Sequence, residues 1–224
     1  MVSTACKVIS VASTKGGVGK STIATNLAYH FLYKCKKNTL LIDADKQESS
    51  FFWSKLRVAF KLPVINTVSI VTNDIHKRIE EYKKDYEYIV IDSCGRDSAE
   101  LRSGLIASDL VIIPSFITTF DVWALQQTAN VVMEAKKGNP KLEVCVVLNK
   151  MTKNVSNATI QQAIQPVRNI VKFDTHDIPI ICNRKIYQTA VTEGKSIYEL
   201  PLSFGHRPAK MDIARLANKI TGIL

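Results

Sequence analysis

The chain has 224 residues, of which 46% are hydrophobic and 22% are charged. This length and composition favour a globule with one well-buried core and exclude a disordered or fibrous chain. Lysines and arginines number 30 against 20 aspartates and glutamates, giving a net charge of +10. That excess indicates either a lysine-rich surface or a polyanionic partner such as nucleic acid or anionic lipid.

The cysteines and the apolar stretches bear on the cellular compartment. Five cysteines are dispersed without C-x-x-C spacing, which predicts reduced core thiols and argues against disulfides or a metal site. No apolar stretch approaches the length of a membrane span, and the N-terminus lacks the layout of a signal peptide. We therefore expect a cytoplasmic protein.

Strand-like and helix-like segments alternate along the chain. A short β-branched run, residues 7–13, is the first strand-like segment, and the other four, residues 39–43, 86–92, 109–114 and 142–149, are almost wholly apolar. The helix-like segments comprise residues 21–34, 48–60, 73–84 and 121–137. This order predicts an α/β fold with a doubly wound, mostly parallel sheet flanked by helices. Because no linker interrupts the pattern, we expect a single domain over residues 1–224.

The stretch "ASTKGGVGKST" joins the first predicted strand to the first predicted helix. Its glycines leave room for a phosphate group, and backbone N–H groups at a helix N-terminus attract anions. Lys20 is expected to reach the β- and γ-phosphates, and the Ser21 hydroxyl to bind Mg²⁺. A purely structural glycine turn is the alternative, but the G-K-S sequence argues against it.

Two apolar strands end in aspartate downstream of this loop. Asp43 closes "LLID", Asp45 follows two residues later, and Asp92 closes "YIVID". Carboxylates at the carboxyl edge of a parallel sheet are well placed to organise a magnesium ion. Each aspartate alone could equally cap a helix or form a turn.

Five segments resemble the ParA/MinD-type ATPases, which are P-loop NTPases with a deviant Walker A motif. "KGGVGKST" resembles that Walker A motif, "LLIDADKQ" the second Walker motif and "YIVIDSCG" the Walker B motif. "SDLVIIPSFITTFDVWAL" and "NRKIYQTAVTEGKSIYEL" resemble the segments that follow. The short chain is most similar to the ParF-like subgroup of DNA-partition ATPases.

The resemblance implies roles for individual residues. Lys15, the extra lysine of the deviant motif, would cross a dimer interface to the partner's nucleotide, or would alternatively add positive potential in cis. Lys15 and Lys20 would act in catalysis together with Asp45, which would orient the attacking water. Asp43 and Asp92 would organise the magnesium shell with Ser21. The remaining nucleotide-binding residues would be Gly16, Gly17, Val18, Gly19, Thr22 and Asn149.

One of these assignments has a structural alternative, and one residue beside the site departs from the family pattern. Asn149 would read the adenine edge, although an asparagine at a strand end is also a common structural feature. Lys46 stands where the family commonly has proline, so the loop after Asp45 is expected to be less rigid.

By the same resemblance the protein would be a DNA-partition (segregation) ATPase, weak alone and stimulated by a partner. Its cofactors would be ATP and Mg²⁺, and an ATP-dependent homodimer would bind nonspecific DNA on the nucleoid. A centromere-binding protein of the ParB type would trigger hydrolysis and release. The alternatives are a MinD-like membrane-associated positioning ATPase and an ATP-dependent amidoligase or synthetase of the same fold.

The last third of the chain carries much of the positive charge. Residues 149–224 contain eleven basic and five acidic residues, a difference of +6. The candidate DNA contacts are Arg184, Lys195, Lys210 and Arg215, each of which could instead be a solvated surface residue. The tail "KMDIARLANKITGIL" has apolar residues at helical spacing, which predicts either a helix packed on the core or an amphipathic membrane anchor. The absence of bulky aromatic residues from this tail favours DNA over a membrane.

Overall fold

The structure is a computed structural model that describes residues 5–152, 155–201 and 206–224, without the side chains of residues 119 and 120. Its strands are β1 (Lys7–Val11), β2 (Thr39–Ala44), β3 (Asn66–Ser69), β4 (Tyr88–Ser93), β5 (Leu110–Ser115), β6 (Glu143–Met151) and β7 (Ile180–Cys182). These strands form one parallel sheet in the order β3-β2-β4-β1-β5-β6-β7.

The helices connect successive strands. They are α1 (Lys20–Tyr29), α2 (Ser49–Ala59), α3 (Ile75–Tyr82), α4 (Ala99–Ala107), α5 (Thr119–Gly138), α6 (Asn157–Arg168), α7 (Lys185–Thr192) and α8 (His206–Ile223). A π-helical segment, His30–Lys34, extends α1, and a short 3-10 turn, Ile197–Glu199, follows α7.

Helices cover both faces of the sheet, because alternate residues of each strand point to opposite sides. On one face Ile9 and Val11 of β1 pack in a cluster with α1, α2, α7 and α8. On the other face Val111 and Ile113 of β5 pack with α4, α5 and α6, while α3 covers β2 and β4. This arrangement confirms the predicted doubly wound parallel sheet.

All five predicted strands and all four predicted helices are present, with ends displaced by a few residues. The sequence pattern missed β3, β7, α4, α6 and α7. β3 and β7 are short and lie at the two edges of the sheet, where half-exposed strands lack a continuous apolar run. Helix α6 contains Pro166, a residue that normally argues against a helix interior.

Helix α8 packs on the core. Ile213, Leu216, Ala217 and Ile220 are at most 1% exposed and belong to the cluster formed with α1 and the sheet. The predicted amphipathic helix is confirmed, and its apolar side is buried by the domain itself. Within the described residues, none of the helices combines the length and the apolar character needed to cross a membrane.

Candidate functional site

A cavity of about 790 Å³ opens where the carboxyl ends of the central strands meet the loop between β1 and α1. A cavity of this size suits a nucleotide. The loop and the first turn of α1 contribute Gly16, Gly17, Gly19, Lys20, Ser21 and Thr22 to its walls. Further wall residues follow the carboxyl ends of β2 and β4 or lie near the carboxyl end of β6. The strand-loop-helix geometry thus brings together most of the predicted nucleotide-binding residues.

Gly19 is required by close packing at the start of α1. Its φ angle is +95°, and a Cβ atom there would lie 2.2 Å from Nδ2 of Asn149. The Asn149 amide occupies that space because it donates to the carbonyl oxygen of Val18 at 2.6 Å. Asn149 and Val18 therefore lie in the site, and the contact between Asn149 and adenine stays a prediction.

Thr14 occupies the position where the ordinary phosphate loop has glycine, and it fastens the loop to α5. Its backbone N–H donates to Oγ1 of Thr128 at 3.0 Å, and the two hydroxyl oxygens are 3.1 Å apart. These bonds fix the segment that carries Lys15. No sequence motif indicates this role for Thr128, which lies more than one hundred residues away.

Lys15 forms an ion pair with Asp121 in the first turn of α5. Thr118 also donates to this carboxylate. Burial acts to raise the pKa of Asp121, but the contacts with Lys15 and Thr118 leave that pKa below its usual value. The Lys15 side chain remains 35% exposed, and Lys15 does not line the cavity of its own chain. Its role across a dimer interface stays a prediction.

Lys20 lies on the cavity wall and is 7% exposed. Its ammonium donates to the carbonyl oxygen of Lys15 at 3.3 Å. Burial lowers the pKa of Lys20, while Asp92 and Asp45 act in the opposite direction. A desolvated ammonium in this position can bind phosphate oxygens more strongly than one in bulk water.

Asp43 caps helix α2. Its Oδ2 accepts from the backbone N–H and the hydroxyl of Ser50, each at 2.8 Å, and from the Phe51 N–H at 2.9 Å. Its Oδ1 accepts from the Asp45 N–H at 3.0 Å. The structure thus gives this carboxylate the capping role that the sequence left open, and its part in a magnesium shell stays a prediction.

Asp92 lies beside Asp43 in the sheet, but its environment is different. Both of its carboxylate oxygens are buried without a hydrogen-bond partner in the described part of the chain. Burial, and then the charge of Asp43, raise the pKa of Asp92 to about 7, although the nearby Ser21 and Ser50 hydroxyls and Lys20 oppose this rise. Such a carboxylate needs a proton or a cation, and Mg²⁺ prefers oxygen ligands. The residues present therefore fit the predicted magnesium ion.

Asp45 and Lys46 lie at the cavity rim. Asp45 Oδ1 accepts from the Gln47 N–H at 3.1 Å, which holds the turn that leads into α2. The aspartate is partly exposed to the cavity, as a residue that orients water requires. Lys46 is exposed and adds a positive charge close to the place where phosphates are expected.

The four predicted DNA contacts have different surroundings, and their contact with DNA stays a prediction. Arg184 lines the nucleotide cavity and pairs with Asp212 at 3.4 Å. Lys195 pairs with Glu193 at 2.8 Å. Arg215 is exposed on α8, and burial and the charge of Lys34 lower the pKa of Lys210.

Comparison with known proteins places the chain among nucleotide-binding domains. A family described as the "CobQ/CobB/MinD/ParA nucleotide binding domain" matches residues 9–197. The chain is 26% identical over 228 residues to the maintenance of carboxysome distribution protein A of Halothiobacillus neapolitanus, covering 98% of this chain and 99% of that protein. It is 31% identical over 132 residues to the protein ParA of Rhizobium radiobacter, covering 58% of each chain.

Three solved structures share the fold. A Cyanothece McdA variant in complex with ATP superimposes with a TM-score of 0.74 at 17% identity, over 99% of this chain and 98% of that chain. A putative plasmid partition protein of Borrelia burgdorferi bound to AMPPNP gives 0.70 at 22% identity, over 96% and 99%. Cobyrinic acid a,c-diamide synthase of Mycobacterium smegmatis, with an ATP analogue and magnesium, gives 0.70 at 14% identity, over 96% and 94%. The ligands in these structures agree with the predicted cofactors, ATP and Mg²⁺.

Proposed function

The chain belongs to the CobQ/CobB/MinD/ParA family of nucleotide-binding domains, and we propose that it is an ATPase whose ATP-bound dimer binds DNA without sequence preference. Partner-stimulated hydrolysis would return the dimer to monomers and release the DNA. The observation that carries this proposal is the position of Lys15. Its side chain lies outside the cavity of its own chain and is partly exposed, so we infer that its ammonium exchanges the ion pair with Asp121 for the phosphates of a nucleotide bound by a second copy.

The chain's own residues supply the parts that phosphoryl transfer requires. When bound, ATP and Mg²⁺ supply the phosphoryl group and the cation that neutralises its charge. Lys20 binds phosphate oxygens, and Ser21 and Asp92 offer oxygen ligands on the cavity wall. Asp45 accepts a hydrogen bond from the attacking water and aligns it. Lys15 from the second copy adds positive charge where negative charge accumulates.

A pair of lysines away from the cavity supports DNA binding. Nζ of Lys34 lies 5.5 Å from the centre of the Tyr198 ring, and Nζ of Lys210 lies 5.9 Å from the same centre. Neither lysine forms an ion pair in the described residues. Two ammonium groups that converge on one ring repel each other, and a phosphate oxygen between them would relieve this repulsion.

The names of the relatives suggest which cargo the protein would move. One relative is named for carboxysome distribution and another is ParA, so the cargo is either a DNA molecule or a protein assembly carried over the nucleoid. For a DNA cargo the hydrolysis-stimulating partner would be a centromere-binding protein of the ParB type. A MinD-like membrane anchor is disfavoured because α8 buries its apolar residues in the core.

The proposal is tested by measuring binding to a nonspecific DNA duplex with ATP, ADP or no nucleotide across a salt series. We expect binding with ATP alone, a steep loss of affinity with salt, and no binding by Lys15→Ala or Lys20→Ala. Exposed Lys141 has no hydrogen bond or ion pair in the described residues, so Lys141→Ala is the matched control and should bind normally.

Two results would contradict the proposal. One is equal DNA binding with and without ATP, and the other is normal ATP binding with no DNA binding at any salt concentration. In the second case, binding of the protein to anionic lipid vesicles would transfer the assignment to the MinD-like alternative. A double variant, Lys34→Ala with Lys210→Ala, should weaken DNA binding and lower the slope of affinity against salt by about 2 per chain, if each lysine neutralises one phosphate.

A further inference from the structure

Lys150 has a backbone conformation that its position in the fold does not explain. Its φ angle is +51°, although it lies within strand β6. The pairing of β6 with β7 is irregular between Leu148 and Met151, so Asn149 and Lys150 form a bulge in the strand. Bulges and positive φ angles in residues other than glycine cost free energy and occur frequently at functional sites.

Two other lysines with positive φ angles have an ordinary explanation. Lys36 has a φ of +57° and Lys61 a φ of +54°. Each follows the C-cap residue of a helical segment, where the left-handed conformation commonly terminates a helix. Both side chains are exposed and form no hydrogen bond or ion pair in the described residues. Lys150 differs because no helix ends there.

The bulge aims two side chains at the phosphate loop. Nζ of Lys150 donates to the carbonyl oxygen of Gly17 at 3.1 Å and lies 5.4 Å from the centre of the Phe116 ring. Nδ2 of Asn149 donates to the carbonyl oxygen of the next residue, Val18, at 2.6 Å. Both residues also line the nucleotide cavity.

Holding these carbonyl groups fixes the N–H groups that follow them. In a planar trans peptide the N–H points opposite to the C=O. With the Gly17 and Val18 oxygens held towards β6, the N–H groups of Val18 and Gly19 must face the other way. A phosphate loop binds its ligand through such N–H groups, and Gly17, with a φ of +75°, would otherwise rotate easily.

We propose that Lys150 is a positioning residue for nucleotide binding, and that its ammonium holds the Gly17 peptide in the phosphate-binding orientation. This inference rests on the proposed nucleotide-binding function and assigns to it a residue outside the phosphate loop. The loop N–H groups contact phosphates that ATP and ADP share. Loss of the ammonium therefore weakens the binding of ATP and of ADP to the same extent.

The test compares three variants of the full chain by titration with a fluorescent ADP, competition with ATP, and thermal unfolding without nucleotide. Lys150→Asn accepts the left-handed backbone more readily than lysine but lacks the ammonium. We expect its Kd for both nucleotides to rise roughly 10-fold, while its Tm stays constant or rises by about 2 °C. Lys150→Arg retains a donor and should bind nucleotide with nearly the Kd of the unmodified protein.

Lys61→Asn is the matched control, because it relieves the same backbone conformation far from nucleotide contacts. It should show the Tm of Lys150→Asn and an unchanged Kd. The inference is overturned if Lys150→Asn binds ADP and ATP normally, or if its Tm falls by several degrees, which would indicate an ordinary structural lysine. If the unmodified protein binds neither nucleotide, the proposed function fails first, and that outcome is visible before any variant is measured.

Discussion

The carboxyl ends of β2 and β4 offer the most instructive comparison in this molecule. Asp43 and Asp92 are direct neighbours in the sheet register, and each closes an apolar strand. Asp43 accepts four hydrogen bonds, three of them from the start of α2, whereas Asp92 accepts none in the described residues. The same sequence pattern therefore produces a structural cap in one strand and, in the neighbouring strand, a buried carboxylate without a hydrogen-bond partner in the described residues.

The chain that follows each strand causes this difference. After β2 the chain turns through Glu48, with a φ of +49°, and starts α2 so that its first N–H groups point back at Asp43. After β4 the chain passes through Gly95 before α4 begins, and α4 has its own cap, Ser98. The N-terminus of α4 is thus not offered to Asp92.

The largest effect on stability should come from removing the capping carboxylate. Asp43→Ala leaves buried N–H groups of α2 without acceptors, and we expect the free energy of unfolding to fall by about 3 kcal/mol. Urea unfolding without nucleotide measures this. Asp74→Ala is a suitable control because Asp74 precedes α3 but its side chain does not cap that helix. Equal losses in both variants would contradict the cap assignment.

Asp92→Asn, unlike Asp43→Ala, should reduce hydrolysis without reducing stability. We expect hydrolysis to fall about 100-fold, because the carboxylate no longer supports the magnesium ion. The nucleotide-free protein should be as stable as before, or more stable by about 1 kcal/mol, because a buried unpaired charge is gone. Steady-state phosphate release and urea unfolding test the two parts. Asp97→Asn, an exposed residue on the same loop, should leave both unchanged.

The raised pKa of Asp92 also predicts that the free energy of unfolding falls as pH rises. A carboxyl group with a folded-state pKa of about 7 and an ordinary unfolded pKa contributes stability that is complete at low pH and is lost as pH rises through 7. Between pH 6 and pH 8 this group should remove about 1 kcal/mol. This contribution is measured as the difference in the free energy of unfolding between the unmodified protein and Asp92→Asn at each pH. A difference that grows with pH would contradict the raised pKa.

The smallest expected effect comes from Ser50. Ser50→Ala removes one of the four hydrogen bonds to Asp43 and retains the backbone donor, so we expect a loss of about 1 kcal/mol in stability. The Ser50 hydroxyl also lowers the pKa of Asp92, so the pH at which stability declines should move upward in this variant. A loss as large as that of Asp43→Ala would show that the cap depends on the hydroxyl and not on the backbone.

The sequence was sufficient for features that depend on local pattern. The phosphate loop, both strand-end aspartates and the alternation of strands and helices follow from residue spacing and hydrophobicity. Edge strands such as β3 were missed because their burial depends on neighbours that are distant in sequence.

Partnerships between distant side chains could not be predicted. Nothing in the sequence indicates that Asp121 pairs with Lys15, that the Thr128 hydroxyl accepts a hydrogen bond from Thr14, or that Lys150 donates one to Gly17. Each contact depends on how the crossover connections place one loop beside another. The surroundings of the predicted DNA residues could not be foreseen for the same reason, since charge composition does not specify which lysines and arginines acquire carboxylate partners, and their contact with DNA stays a prediction.

The most direct test of the central claim is the molecular mass in solution, measured by light scattering, with ATP and with ADP. The measurement would use Asp45→Ala, which should retain ATP unhydrolysed, with and without the additional Lys15→Ala substitution. The account predicts twice the mass of one chain with ATP, the mass of one chain with ADP, and a monomer in both nucleotides when Lys15 is removed. A monomer with bound ATP, or an ATP-dependent dimer that persists without Lys15, would contradict it.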